Sequence, residues 1–305
     1  MLREGLHASA CGLQWILSGY SLAFGLVLVP AGRLGDARSR QTLDPVGVVI
    51  LGAGVTALLL PLVQDRQWPS PLKWLLVPAA LAVLAEFVCW ERRYRRRGGD
   101  PVVDLTLFRR GSCTRGCALA VLYFAGFTAI FFTLTPYLQS HLRESALVAG
   151  ASITPFTLGS AVSAPVAGRL VNRFGRRLVA GGLVLVTVGL GGVYAATQFL
   201  PGPAVSLALA APLLVAGAGG GAVISPNQTL TLSEVPSREG GSAAGVLQTG
   251  QRVASAIGVA TVGAVFFATL AAAGDWTAAF HRGLLILLEF VLASLVLAIA
   301  SARYR

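Results

Sequence analysis

The chain has 305 residues, of which 55% are hydrophobic and 12% charged, whereas a soluble domain carries about 25% charged residues. A soluble core of this size cannot hide so much apolar surface, which excludes a soluble enzyme or binding module. The formal net charge of +11 does not point to nucleic acid, because the arginines cluster in short breaks between apolar runs.

A hydrocarbon core about 30 Å thick is crossed by about 20 apolar residues in a helix. Lipid leaves helices as the way to satisfy the backbone here, since the period-2 alternation of a membrane barrel is absent. In chain order the apolar stretches are 13–32, 44–63, 72–90, 116–138, 147–167, 178–198, 204–226, 243–271 and 278–300. The expected fold is an all-α, polytopic transmembrane bundle of about nine spans. The first stretch runs into an arginine-rich turn rather than a small-residue cleavage site, so no cleavable signal peptide is expected. Trp68-Pro69-Ser70-Pro71 separates the second and third stretches, and Pro201-Gly202-Pro203 the sixth and seventh. The basic run after the third ends at Arg97 and gives way to Gly98-Gly99-Asp100-Pro101, a turn signal.

Positive charge sets the expected orientation. With the break after the first span placed inside, the inner segments hold eighteen basic residues and the outer segments four: Arg3, Arg66, Lys73 and Arg143. The N-terminus is therefore expected outside and the C-terminus in the cytoplasm of a plasma-membrane protein. Gly217 with Gly221, and Ala254 with Gly258, form small-xxx-small pairs that let helix backbones approach closely.

Two breaks share a pattern. One carries Gly32, Arg33, Gly35, Asp36, Arg38 and Arg40, and the other Gly168, Arg169, Asn172, Arg173, Gly175, Arg176 and Arg177. Each opens on glycine, has an acidic or amide residue four positions later, and ends in arginines. A carboxylate or amide there can cap a helix N-terminus, and the arginines can bridge to a neighbouring helix or to lipid phosphate. These are candidate gating loops; taken singly, each also reads as a tight turn with positive-inside charge.

The pattern resembles the signature loop of the major facilitator superfamily. The wider text resembles the superfamily's fourteen-span drug–proton antiporter branch. Leu13 to Phe24 and the loop after it are similar to that branch's second span. Asp44-Pro45-Val46-Gly47 through Trp90 resembles the two-helix insert between its halves. Asp104 to Arg109 resembles the entry to the C-terminal half, and Ser242 to Thr249 the start of the thirteenth span. The resemblance implies three parts. These are residues 1–42 as one span and its signature loop from an N-terminal bundle, 43–115 as the insert and basic loop, and 116–305 as a six-helix C-terminal bundle. Spans one and three to six of the branch have no counterpart, so the N-terminal half is incomplete by this comparison. The first loop also carries Ala37 and Ser39 where the branch has arginine and glycine.

Ionisable groups within lipid are costly and are functional candidates by default. Glu289 lies mid-way along the last span and can carry a proton or pair with another helix. Arg252, near Gln248 and Gln251, can bind an anionic group or snorkel to the interface. Phe124, Phe127, Phe131 and Phe132 lie on the helix that lines the central cavity in the resembled family; Phe127 and Phe131 are the candidates to meet flat, lipophilic substrates. No phosphate loop or Ser/His/Asp arrangement is present, so catalytic residues and an enzyme activity are not expected. Cys113 and Cys117 are four apart without histidine or a second pair nearby, so no metal is expected. Cofactors are not expected either, the proton gradient being the coupling source if transport is active. The resemblance implies export of small amphipathic molecules. The alternatives are an inactive, internally deleted relative, function only as a homo-oligomer, or an interaction or regulatory protein that binds a full-length partner. Apart from these, the expected partners are the lipid bilayer and a small amphipathic substrate.

Overall fold

The structure is a computed structural model that describes residues 44–63, 70–99, 101–103, 111–200, 204–236 and 239–303. The expected first span and the signature loop from Gly32 to Arg40 lie outside these residues. The described chain is helical, with no strand among the described residues. In order come α1 (Pro45–Val63), a 3-10 turn (Pro71–Leu75) running into α2 (Leu76–Arg96), and α3 (Gly111–Pro136) with a π turn (Tyr137–His141). Then follow α4 (Ala146–Phe174), α5 (Arg176–Phe199), a short α6 (Ala204–Ala208), α7 (Ala210–Leu232), α8 (Gly240–Ala273) and α9 (Trp276–Arg303). Seven helical segments are long and apolar enough to cross a membrane, and the apolar part of α1 is shorter. The protein is thus a multi-pass membrane protein, with the expected spans two to nine each matched by a described helix.

Two compact units make up the chain. The first is Met1–Arg110 with Val235–Ala256, and the second is Gly111–Glu234 with Ile257–Arg305. α8 passes from one to the other between Ala256 and Ile257.

In the first unit α1 and α2 pack together as a hairpin. Asp44 caps α1: its Oδ1 accepts from the backbone N–H of Val46 (3.1 Å) and Gly47 (3.0 Å), and its Oδ2 accepts from Trp90 Nε1 on α2 at 2.7 Å. Pro45 follows at the first helical position, where its missing N–H costs nothing. Glu91, also buried, accepts from the backbone N–H of Val102 and Val103 at 3.3 and 3.4 Å. This folds the chain after the basic run back onto the hairpin, where Val102 and Val103 join Phe87 in a small apolar cluster. Gly98 turns the chain with φ of 81°, a left-handed conformation that glycine adopts without a steric penalty.

The second unit holds the main core, in which α7 packs on α4 and α5, and α9 on α3 and α5. Backbone contact at small residues is the reason these helices come so close. A methyl group at Gly217 would overlap the backbone carbonyl of Phe156, and one at Gly221 would overlap Ser163. Likewise a methyl at Gly258 would overlap the carbonyl of Ala125. Both small-residue pairs expected from the sequence therefore serve packing. Ala254 of the second pair is buried as well.

The second arginine-bearing break differs from the loop expected of it. α4 continues through Gly168, Arg169, Asn172 and Arg173 to Phe174, and Gly175 alone makes the turn, with φ of 54°. Asn172 is an exposed residue inside α4, so it caps no helix, and α5 starts from Gly175 with no side-chain cap. The helix extends past the apolar stretch because Arg, Leu and Asn continue a helix at little cost, whereas the left-handed glycine ends it. Arg92 to Arg96 extend α2 in the same way.

Candidate functional site

α3 carries aromatic residues every fourth position, so Tyr123, Phe127 and Phe131 share one helical face. Phe127 is the hub of this face. Its ring lies 5.4 Å from Tyr123, 5.6 Å from Phe124, 5.6 Å from Phe131 and 5.6 Å from Phe156 of α4. Phe131 meets Phe156 edge-on at 5.2 Å. Phe124, Phe127 and Phe131 are half-buried, packed against the core but still presenting ring surface. Tyr123 is buried beneath them and its hydroxyl has no hydrogen-bond partner. Phe132 points elsewhere, to Phe267 of α8 at 6.2 Å. The helix thus sorts the four phenylalanines expected of it into a cluster of three and a separate packing contact. Phe156 was missed from sequence, because nothing in the text of α4 shows that it faces α3.

Glu289 stands at mid-span of α9, on the face turned away from α3. Phe290 and Val291 approach Gly126 of α3, whereas Glu289 is exposed beside the outward Leu285 and Leu292. A carboxyl on an apolar face at this depth is costly unless it is protonated or meets a polar partner. Arg252 and Gln248 belong to the first unit, Arg252 exposed and Gln248 half-buried.

At the arginine-bearing end of the second unit, polar contacts join α3, α5, α7 and the turn that follows α7. Ser112 donates its hydroxyl to Glu234 at 2.6 Å, and Arg176 Nη2 donates to the backbone carbonyl of Ser112 at 3.1 Å. Asn227 Nδ2 donates to the carbonyl of Gly116 at 3.0 Å, tying α7 to α3. Asn227 is buried, so the Asn227-Gln228-Thr229 triplet is a packing feature rather than an exposed glycan acceptor. Arg169 and Arg173 are exposed, and Arg173 lies over the Phe174 ring at 5.4 Å. At the opposite end, His281 of α9 shares a 2.9 Å hydrogen bond with Thr197 of α5 and stacks on Tyr194 at 4.2 Å. This histidine clamps two helices.

Comparison with known proteins finds that the profile of the Major Facilitator Superfamily matches residues 67–259 and, in an overlapping placement, 116–303. The chain is 34% identical over 256 residues to a probable actinorhodin transporter of Streptomyces coelicolor, covering 83% of this chain and 44% of that protein. It is 30% identical over 241 residues to the multidrug resistance protein Stp of Mycobacterium tuberculosis, covering 78% of this chain and 43% of that protein. It is 29% identical over 273 residues to the puromycin resistance protein pur8 of Streptomyces alboniger, covering 87% and 53%. The chain spans about half the length of these relatives.

Proposed function

The chain belongs to the major facilitator superfamily, and from that premise we propose that it serves in proton-coupled export of small amphipathic organic molecules across the plasma membrane. The observation that carries this reading is the aromatic cluster in which the half-buried Phe124, Phe127 and Phe131 pack against the buried Phe156. Rings presented edge and face within an otherwise aliphatic bundle suit flat, lipophilic or cationic molecules. The relatives named for actinorhodin, puromycin and multidrug resistance support the same substrate class.

Carriers of this kind alternate by rocking two bundles about a midplane site. In this proposal the second unit supplies one bundle, and a second bundle, from the same polypeptide or from another copy, closes the site. Glu289 is the proton-carrying candidate, since it is the acid at mid-span of α9. The C-terminus lies in the cytoplasm and the N-terminus outside, on the arginine asymmetry.

Dye efflux from an efflux-deficient bacterium tests the reading. Cells expressing the protein should retain less dye than control cells. Phe127→Ala should abolish that difference for aromatic dyes, and Glu289→Gln should remove its dependence on the proton gradient. Equal dye retention with and without the protein would reject the proposal. A cytoplasmic reporter fused after Arg305 should be active, and an inactive one would reverse the orientation.

A further inference from the structure

The arginine-bearing end of the second unit encloses a cavity of about 280 Å³. Ser112, Arg173, Arg176, Arg177, Glu234 and Ser301 are among the residues that line it. Two polar atoms in this wall, Arg176 Nη1 and Ser301 Oγ, are buried without a hydrogen-bond partner. Buried donors are nearly always satisfied, so a guanidinium nitrogen and a hydroxyl left over in the walls of one cavity call for an acceptor there. The three guanidinium groups outnumber the one carboxylate, and the Oε2 of that carboxylate already accepts from Ser112. Arg115 adds a further positive charge acting on Arg176. The acceptor this wall favours is an anion with several oxygens in a compact array, which guanidinium forks match as they match a phosphate ester.

A separate feature identifies its source. On α4, Leu158, Val162, Val166, Leu170 and Phe174 are all exposed, with relative exposures of 37–68%. They recur every fourth residue and form an apolar row, inclined about 26° to the helix axis, that rises about 24 Å at 1.5 Å per residue. The stripe ends at Phe174, which itself lines the cavity. An acyl chain laid along this stripe delivers its headgroup phosphate to the arginines. We propose that this cavity and stripe form a binding site for one anionic phospholipid, with the phosphate held by Arg176 and Ser301 and the chain lying along α4. Basic pockets between membrane helices take anionic headgroups in this way. The inference does not depend on the transport reading.

The test uses the full chain, delipidated in detergent, with phosphatidylglycerol, phosphatidylcholine of the same acyl composition, and glycerol 3-phosphate as probes. Native mass spectrometry counts the lipids retained, and thermal unfolding gives the affinity. Phosphatidylglycerol should be retained at one per chain and should raise the unfolding midpoint saturably. Arg176→Gln should weaken this by about tenfold or more, as expected for loss of a charge-assisted contact. Ser301→Ala and Phe174→Ala should weaken it by less, and they serve if Arg176→Gln does not fold. Arg92→Gln and Arg96→Gln, in the first unit, should leave it unchanged. Equal retention of phosphatidylcholine, equal affinity for glycerol 3-phosphate, or an unchanged affinity in both the Ser301 and Phe174 variants would overturn the proposal.

Discussion

Replacing Asp44 tests the account of the α1–α2 hairpin most directly. Its carboxylate makes three contacts, two to the first turn of α1 and one to the Trp90 indole. Loss of an N-cap costs about 0.5–2 kcal/mol. Loss of a hydrogen bond to a charged group costs about 1.5–3 kcal/mol. Asp44→Ala should therefore lower stability by about 2–5 kcal/mol in total. Asp44→Asn keeps a capping oxygen and an acceptor for the indole, and should cost about 1 kcal/mol, since asparagine caps almost as well. Trp90→Phe removes the donor alone. In a double-mutant cycle, Asp44→Ala and Trp90→Phe should couple by about 1–2 kcal/mol, within the range for residues in direct contact. Thermal unfolding of the purified protein in detergent measures each term, and hydrogen exchange over residues 44–60 localises it. If Asp44→Asn is as damaging as Asp44→Ala, the negative charge rather than the hydrogen-bond geometry matters, and the reasoning fails. It also fails if Asp44→Ala changes stability by less than about 0.5 kcal/mol, the level of an ordinary surface substitution.

Three further outcomes follow from contacts in the second unit. Gly258→Ala places a methyl group on the Ala125 carbonyl and should destabilise by about 1–3 kcal/mol, as overpacking does; Gly181→Ala, which meets nothing within 4 Å, should be neutral or stabilise by up to about 1 kcal/mol through helix propensity. Thermal unfolding of the pair separates the two cases. Tyr123→Phe deletes a buried hydroxyl that has no partner, so it should leave stability unchanged or raise it by about 1 kcal/mol; if stability rises while dye efflux falls, the hydroxyl meets substrate. Thr197→Val removes the bond to His281 and should cost about 1–3 kcal/mol, the range for a buried polar group left unpaired, whereas a change below about 0.5 kcal/mol in unfolding free energy would show that the stacking on Tyr194 holds α9 unaided.

The fold was legible in the sequence because lipid imposes a one-dimensional rule. A span must be apolar over about 20 residues and must satisfy its own backbone, and both conditions are local in the text. The stretches 147–167, 178–198 and 278–300 each fall within a described helix, and 116–138 falls within α3 and its π turn. The Gly217–Gly221 and Ala254–Gly258 pairs were legible for a similar reason, since spacing alone puts small residues on one face. The segment 168–177 departs from the expected loop because an apolar run marks where the hydrocarbon ends and not where the helix ends. Charged residues are good helix formers once outside the hydrocarbon, and only the left-handed backbone of Gly175 stops α4.

Composition and periodicity by themselves determined that this chain is a multi-pass helical membrane protein, with its arginines concentrated in alternate breaks. Which residues meet across helices needed the tertiary structure. Phe156 joins Phe127 and Phe131, Asp44 reaches Trp90 across the hairpin, and Arg176 and Ser301 face one cavity although they stand far apart in the chain. The physical reason is that a helix presents the same apolar text to lipid and to a neighbouring helix. Hydropathy cannot tell those two environments apart, and packing decides between them.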